Sequence, residues 1–110
     1  MDIKIKSQDE ITVVELAGDI DAKTAPTVQE QVVPLAEPGS KMLLDLTQVP
    51  YMSSAGLRML LSLYRRASTT EGKVVLVGLS EDIKDTMSVT GFLDFFLTAE
   101  TLESGLGALN

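Results

Sequence analysis

Apolar and charged side chains alternate in "IKIKS" (Ile3–Ser7), the period-two pattern of a half-covered edge strand. "ITVVELAG" (Ile11–Gly18) is longer and mostly β-branched, and ends on glycine. With only the polar "SQDE" between the two runs, they read as an antiparallel hairpin. In "DIDAKTAPTVQEQVVPLAEPGS" the period lengthens. Thr24 is placed to cap a helix, with Ala25 and Pro26 in its first turn, where proline is tolerated. Val28, Val32 and Leu35 then fall at i, i+4 and i+7, a buried stripe. Pro34 has no N–H for the Glu30 carbonyl, so the helix must kink or finish near it.

"KMLLDLTQV" is a short apolar run that reads as a buried strand around Asp45. The next segment, "PYMSSAGLRMLL", sets two serines directly before a helical pattern. Leu57, Leu60, Leu61 and Tyr64 define its apolar face, and Arg58, Ser62, Arg65 and Arg66 its wet side. The two late arginines also suit the negative end of the helix dipole. "TTEG" stops that helix and "KVVLVGL" is another buried strand. Ser80 can cap a third helix, with Glu81 and Asp82 in its first turn, Ile83 and Met87 as its core pair and Gly91 just past its end. "DFFLTA" reads as a short last strand, and Leu102, Leu106 and Leu109 as one face of a last helix. The order β-β-α-β-α-β-α-β-α predicts a single α/β domain over residues 1–110 with crossover connections. The expected sheet is mixed, four- to five-stranded, with an N-terminal β-hairpin and about four helices mostly on one face.

Composition narrows the function. A chain of 110 residues with 45% hydrophobic residues can bury a core without disulfides or metals, and it contains no cysteine. "MDIKIKSQDE" has no apolar stretch of signal-peptide length, and no run approaches the ~18 residues of a membrane span. A soluble, cytoplasmic protein without direct membrane insertion is expected. The formal charge of −7 repels phosphate backbones, so no nucleic-acid partner is expected, and a basic protein partner suits it better.

Candidate chemistry is sparse. The chain has no histidine, which removes Ser–His–Asp and Cys–His arrangements and His-containing zinc sites. No Ser-x-x-Lys spacing surrounds Ser53 or Ser54. "ASTTEGKV" holds Gly-Lys, but Ala67 and Val74 stand where a phosphate loop needs glycine and Ser/Thr. Asp19 and Asp21 can be read as an acid–base or metal pair, or as residues that end the second strand and cap the following loop. Asp45 invites comparison with a phospho-accepting aspartate, yet "IKIKS" lacks the acidic pair such a site needs. No catalysis, cofactor or metal is expected. Ser53 and Ser54 remain open to two compatible readings. One of them can cap a helix beginning at Ala55 or Gly56, contributing about 1 kcal/mol. The same position can carry phosphate, which free N–H groups and the helix dipole favour, adding about −1.5 to −2 charges. Gly56 would leave the first turn bare and accessible to a kinase or partner.

These residues carry a resemblance. "LLDLTQVPYMSSAGLRMLL" resembles the signature of STAS domains, specifically single-domain bacterial anti-sigma factor antagonists. Its pattern there is roughly Asp-Leu-Ser, a spacer, an aromatic, Met or Ile, then Asp-Ser-Ser-Gly-Leu. "LAGDIDAKTAP" is similar to that family's Gly-Glu-Leu-Asp-x-x-Thr-Ala block, and "KVVLVGLSEDIKDTMSVTGFLDFF" to its strand–helix–strand ending. The resemblance spans nearly the whole chain. It implies a partner switch in which the antagonist binds an anti-sigma factor that is also a serine kinase. The kinase phosphorylates the antagonist and releases it, and a metal-dependent serine phosphatase resets the system. Aligning Tyr51 and Gly56 with the motif puts the acceptor at Ser54, with Ser53 as the alternative. Ser53 replaces the family's aspartate, Ala55 its second serine and Arg58 a frequent glycine. The implied partner-binding surface comprises Asp19, Asp21, Thr24, Ser53, Gly56, Leu57 and Arg58. Two alternatives stay open: a non-phosphorylated STAS accessory subunit of a membrane transporter ATPase, and a nucleotide-binding domain.

Overall fold

A two-residue reversal starts the chain's sheet. In the computed structural model, which describes residues 1–110, β1 (Asp2–Gln8) and β2 (Ile11–Ala17) pair antiparallel up to Gln8 opposite Ile11. Asp9 and Glu10 both take positive φ, 53° and 66°, the conformation whose twist matches the flanking strands. The hairpin expected across "SQDE" is present.

From β2 onward, strands alternate with helices: α1 (Ala25–Val32), β3 (Lys41–Gln48), α2 (Ser54–Thr69), β4 (Lys73–Val77), α3 (Glu81–Val89), β5 (Leu97–Ala99) and α4 (Leu102–Leu109). The sheet order is β1-β2-β3-β4-β5, with every pair after the first parallel. Each crossover therefore steps in the same direction. The shared right-handed preference of such connections puts α1, α2 and α3 on one face. That face holds the larger core, in which Val14, Leu16, Met42, Leu44, Leu46 and Leu76 meet Val28, Val32, Leu60, Leu63, Ile83 and Met87. Alternate residues of the same strands (Ile11, Val13, Leu43, Val75 and Val77) form a smaller core under Leu109 of α4 on the opposite face. Because β2, β3 and β4 are covered on both sides, they read as continuous apolar runs.

Several local expectations are corrected. α1 does end at Val32, but Val33–Leu35 continue as a 3₁₀ turn through Pro34, and Leu35 is only half-buried. The buried stripe of α2 runs through Gly56, Leu60, Leu63 and Ala67 with Leu57 and Met59 beside it, whereas Leu61 and Tyr64 are half-buried. Asp94, Phe95 and Phe96 lie outside the last strand, the first two in a 3₁₀ turn over Phe92–Phe95, where Phe95 stacks on Tyr64 with ring centroids 5.2 Å apart. Gly91 has φ 80° just past α3, a left-handed end that glycine tolerates. No helix is long and apolar enough to cross a membrane.

Candidate functional site

The loop after β2 and the loop after β3 leave the sheet at neighbouring carboxyl ends and are zipped together by backbone bonds. The Gly18 N–H donates to the Gln48 carbonyl (3.0 Å), Ile20 N–H to the Tyr51 carbonyl (3.0 Å) and Ser53 N–H to the Ile20 carbonyl (2.8 Å). Ile20 and Met52 form an isolated parallel bridge, and both side chains are buried. The Asp19–Thr24 loop is thereby fixed beside the start of α2. Residues thirty positions apart in sequence share one edge of the molecule.

Within that loop, the Asp21 side chain caps the turn ahead of α1, as one reading of the aspartate pair expects, and reaches no N–H of the helix itself. Asp21 Oδ1 accepts from the N–H groups of Lys23 (2.9 Å) and Thr24 (3.1 Å). These two bonds, the Lys23 one foremost, hold its carboxyl below the ordinary value against the opposing effect of desolvation. Thr24 makes no side-chain bond into α1. Its hydroxyl instead accepts from the Asp21 N–H (3.0 Å) and donates to the Asp19 carbonyl (2.8 Å), tying the loop to itself. Asp45 is used similarly: its Oδ1 accepts from the N–H and hydroxyl of Thr47 at 3.0 and 2.7 Å.

The two serines have different surroundings. Ser53 occupies the N-cap position of α2, with φ −82° and ψ 177°, and its carbonyl accepts the first helical bond, from Leu57 N–H at 3.0 Å. Yet its side chain makes no cap bond, and its Oγ is buried without any partner. The expected stabilising cap is therefore missing. Ser54 is the first residue of the helix, ahead of the start expected at Ala55 or Gly56, and it is exposed.

Gly56 is also corrected: it is buried, not a bare patch for a partner. A Cβ there would sit 2.5 Å from Met52 Cγ, 2.9 Å from Ile20 Cγ2 and 3.0 Å from the Ile20 carbonyl oxygen. The glycine lets α2 approach the zipped loops. Leu57 is likewise 8% exposed and supports the site from below. Arg58 is exposed on the next turn and borders an open groove between α1 and α2, lined also by Ala22, Pro26, Gln29 and Glu30. The structure brings Asp19, Asp21, Thr24, Ser53, Ser54 and Arg58 to one end of the molecule.

One residue was not singled out for contact from the sequence. Tyr51, read only as a position in the motif, is 55% exposed on the zipped loop. No group of three carboxylate, thiol or imidazole residues is placed to hold a metal ion.

Comparison with known proteins places this geometry in context. The STAS domain family model matches residues 2–105. An anti-sigma-B factor antagonist of Bacillus subtilis (strain 168) is 30% identical over 106 residues, covering 96% of this chain and 97% of that protein. The crystal structure of an anti-sigma factor antagonist from Mycobacterium paratuberculosis aligns with TM-score 0.83 at 26% identity, over 98% of this chain and 92% of that one. The Bacillus cell fate determinant SpoIIAA, solved in its phosphorylated form, shares the fold with TM-score 0.75 at 16% identity, over 99% of this chain and 100% of that one.

Proposed function

This chain belongs to the STAS domain family, and from that membership we propose that it is an anti-sigma factor antagonist switched off by phosphorylation of Ser54. In the unmodified state it binds an anti-sigma factor that is also a serine kinase, through the end of the molecule formed by Asp19, Asp21, Thr24, Ser53, Ser54 and Arg58. Gly56 and Leu57 shape that surface from beneath. Ser54 Oγ attacks the terminal phosphorus of a nucleoside triphosphate held by the kinase. The Oγ–P bond forms, the bond to the departing nucleoside diphosphate breaks, and the hydroxyl proton passes to a base on the kinase. A metal-dependent serine phosphatase reverses the modification. The protein supplies an acceptor and a surface, with no catalysis of its own, and acts in the cytoplasm.

The observation that carries this reading is the contrast between the two hydroxyls. Ser54 is exposed at the first residue of α2, whereas Ser53 Oγ is buried. A phosphate on Ser53 would have to enter a site with no solvent, at a high desolvation cost. This contrast supports Ser54 over the alternative, Ser53, as the acceptor. The phosphate lands beside Asp19 and Asp21 on an already acidic protein, so like charges and the loss of a complementary fit weaken the complex.

Isothermal titration against the anti-sigma factor kinase that co-purifies from the native cell tests the reading. Ser54→Ala is expected to bind within about 2-fold of wild type, and protein phosphorylated on Ser54 to bind more weakly by roughly 30-fold or more. Equal affinity of the phosphorylated and unphosphorylated forms would contradict it.

A further inference from the structure

Ser54 and Arg58 are four residues apart on α2 and both are exposed. That spacing stacks two side chains on one helix face, and an anion one turn N-terminal to a cation is the favoured order. The chain's two ion pairs lie elsewhere, Lys6–Glu15 at 3.0 Å and Glu81–Lys84 at 3.9 Å, so the Arg58 guanidinium is uncommitted. Its planar fork matches two oxygens of a phosphate, which a lysine ammonium does not.

We propose that Arg58 takes up the phosphate of phosphorylated Ser54 within the chain, one helical turn on. This rests on the reading of Ser54 as the acceptor and adds a regulatory part to it. The unmodified protein offers Arg58 to its partner, and the modified protein turns the same guanidinium inward. Phosphorylation then removes a cation from the docking surface as well as adding an anion. A phosphatase must displace Arg58 to reach the phosphorus, so Arg58 also lengthens the life of the off state. The other charged groups around this end are Asp19 and Asp21, which repel the phosphate, Lys23 in the same loop, which is the rival cation, and Glu30 of α1, which borders the Arg58 groove and competes for the guanidinium.

The test installs phosphoserine at position 54 chemically or by genetic encoding, so that no kinase is required. The phosphate is then titrated by phosphorus NMR in otherwise wild-type protein and in Arg58→Gln, Arg58→Lys, Lys23→Gln and Arg65→Gln. The ordinary second pKa of a phosphoserine is about 6. In Arg58→Gln it is expected about 0.4 unit higher than in wild type, an approximately 2.5-fold change in proton affinity. Arg58→Lys should fall between them, Arg65→Gln should match wild type, and about 1 M salt should close the gap. Coincident titrations of wild type and Arg58→Gln, or a shift that follows Lys23→Gln instead, would overturn the pairing. Absence of phosphate on Ser54 in native cells would instead sink the acceptor reading, an outcome the installed phosphate separates from the first.

Discussion

Gly56 shows how one missing side chain sets the geometry of the site. Its would-be Cβ falls 3.0 Å from a backbone carbonyl oxygen and 2.9 Å from a methyl of Ile20, and neither a backbone nor a β-branched side chain yields easily. Met52, at 2.5 Å, can move more readily. Alanine would gain up to about 1 kcal/mol of helix propensity and lose more to overpacking, typically about 1–3 kcal/mol. Gly56→Ala is therefore expected to lower stability by about 1–2 kcal/mol in urea unfolding, as a lower midpoint with unchanged slope. A variant as stable as wild type would mean that the zipped loops are not held as described. The sequence motif marks this glycine, but accessibility was the wrong reason for it. Its use depends on Ile20 and Met52, one of them more than thirty residues away, and no local pattern carries that contact.

At the scale of elements, most of the chain was legible because each one carries its own period and its own stop. β2, β3 and β4 are apolar runs closed by polar or glycine-containing turns. α3 is bounded by Ser80, whose Oγ accepts from the Ile83 N–H at 3.2 Å, and by left-handed Gly91. Where the reading failed, tertiary context had replaced the local rule. Tyr64 is drawn partly out of the apolar face of α2 to stack on Phe95, and the aromatic run after Gly91 winds into a 3₁₀ turn before β5 begins. Helix starts make the same point. Thr24, Ser53 and Ser80 look alike in sequence, yet only Ser80 of the three makes the side-chain cap bond. Ser80→Ala should accordingly cost about 1 kcal/mol. Ser53→Ala should stay within about 0.5 kcal/mol of wild type or gain stability, since it deletes a buried hydroxyl that has no partner. Chemical denaturation of the pair checks this, and a cost at Ser53 equal to that at Ser80 would contradict the geometry of the helix start.

At the scale of the whole molecule, a sheet with a core on each face carries the candidate site on its loops. Three crossovers in one direction stack α1, α2 and α3 on one face, α4 closes the other, and the carboxyl ends of β2 and β3 are left to build a surface from loops. The sequence predicts helices mostly on one face, and α4 is the exception. After the last strand no crossover constrains a helix, so the apolar residues of α4 cover what remains open over Leu43, Val75 and Val77. The zipping of the two loops could not be read from the residues alone, because Ile20 meets Met52 only once β2 and β3 lie side by side, and no local pattern marks the burial of Ser53 Oγ. Ser54 is the exposed hydroxyl at the head of α2. The most direct test of the account is phosphopeptide mass spectrometry on the protein isolated from its native cells, beside a Ser54→Ala variant. The account predicts phosphate on Ser54 that disappears in the variant, with Ser53 unmodified. Phosphate on Ser53, or none under any growth condition in which the protein is abundant, would contradict it.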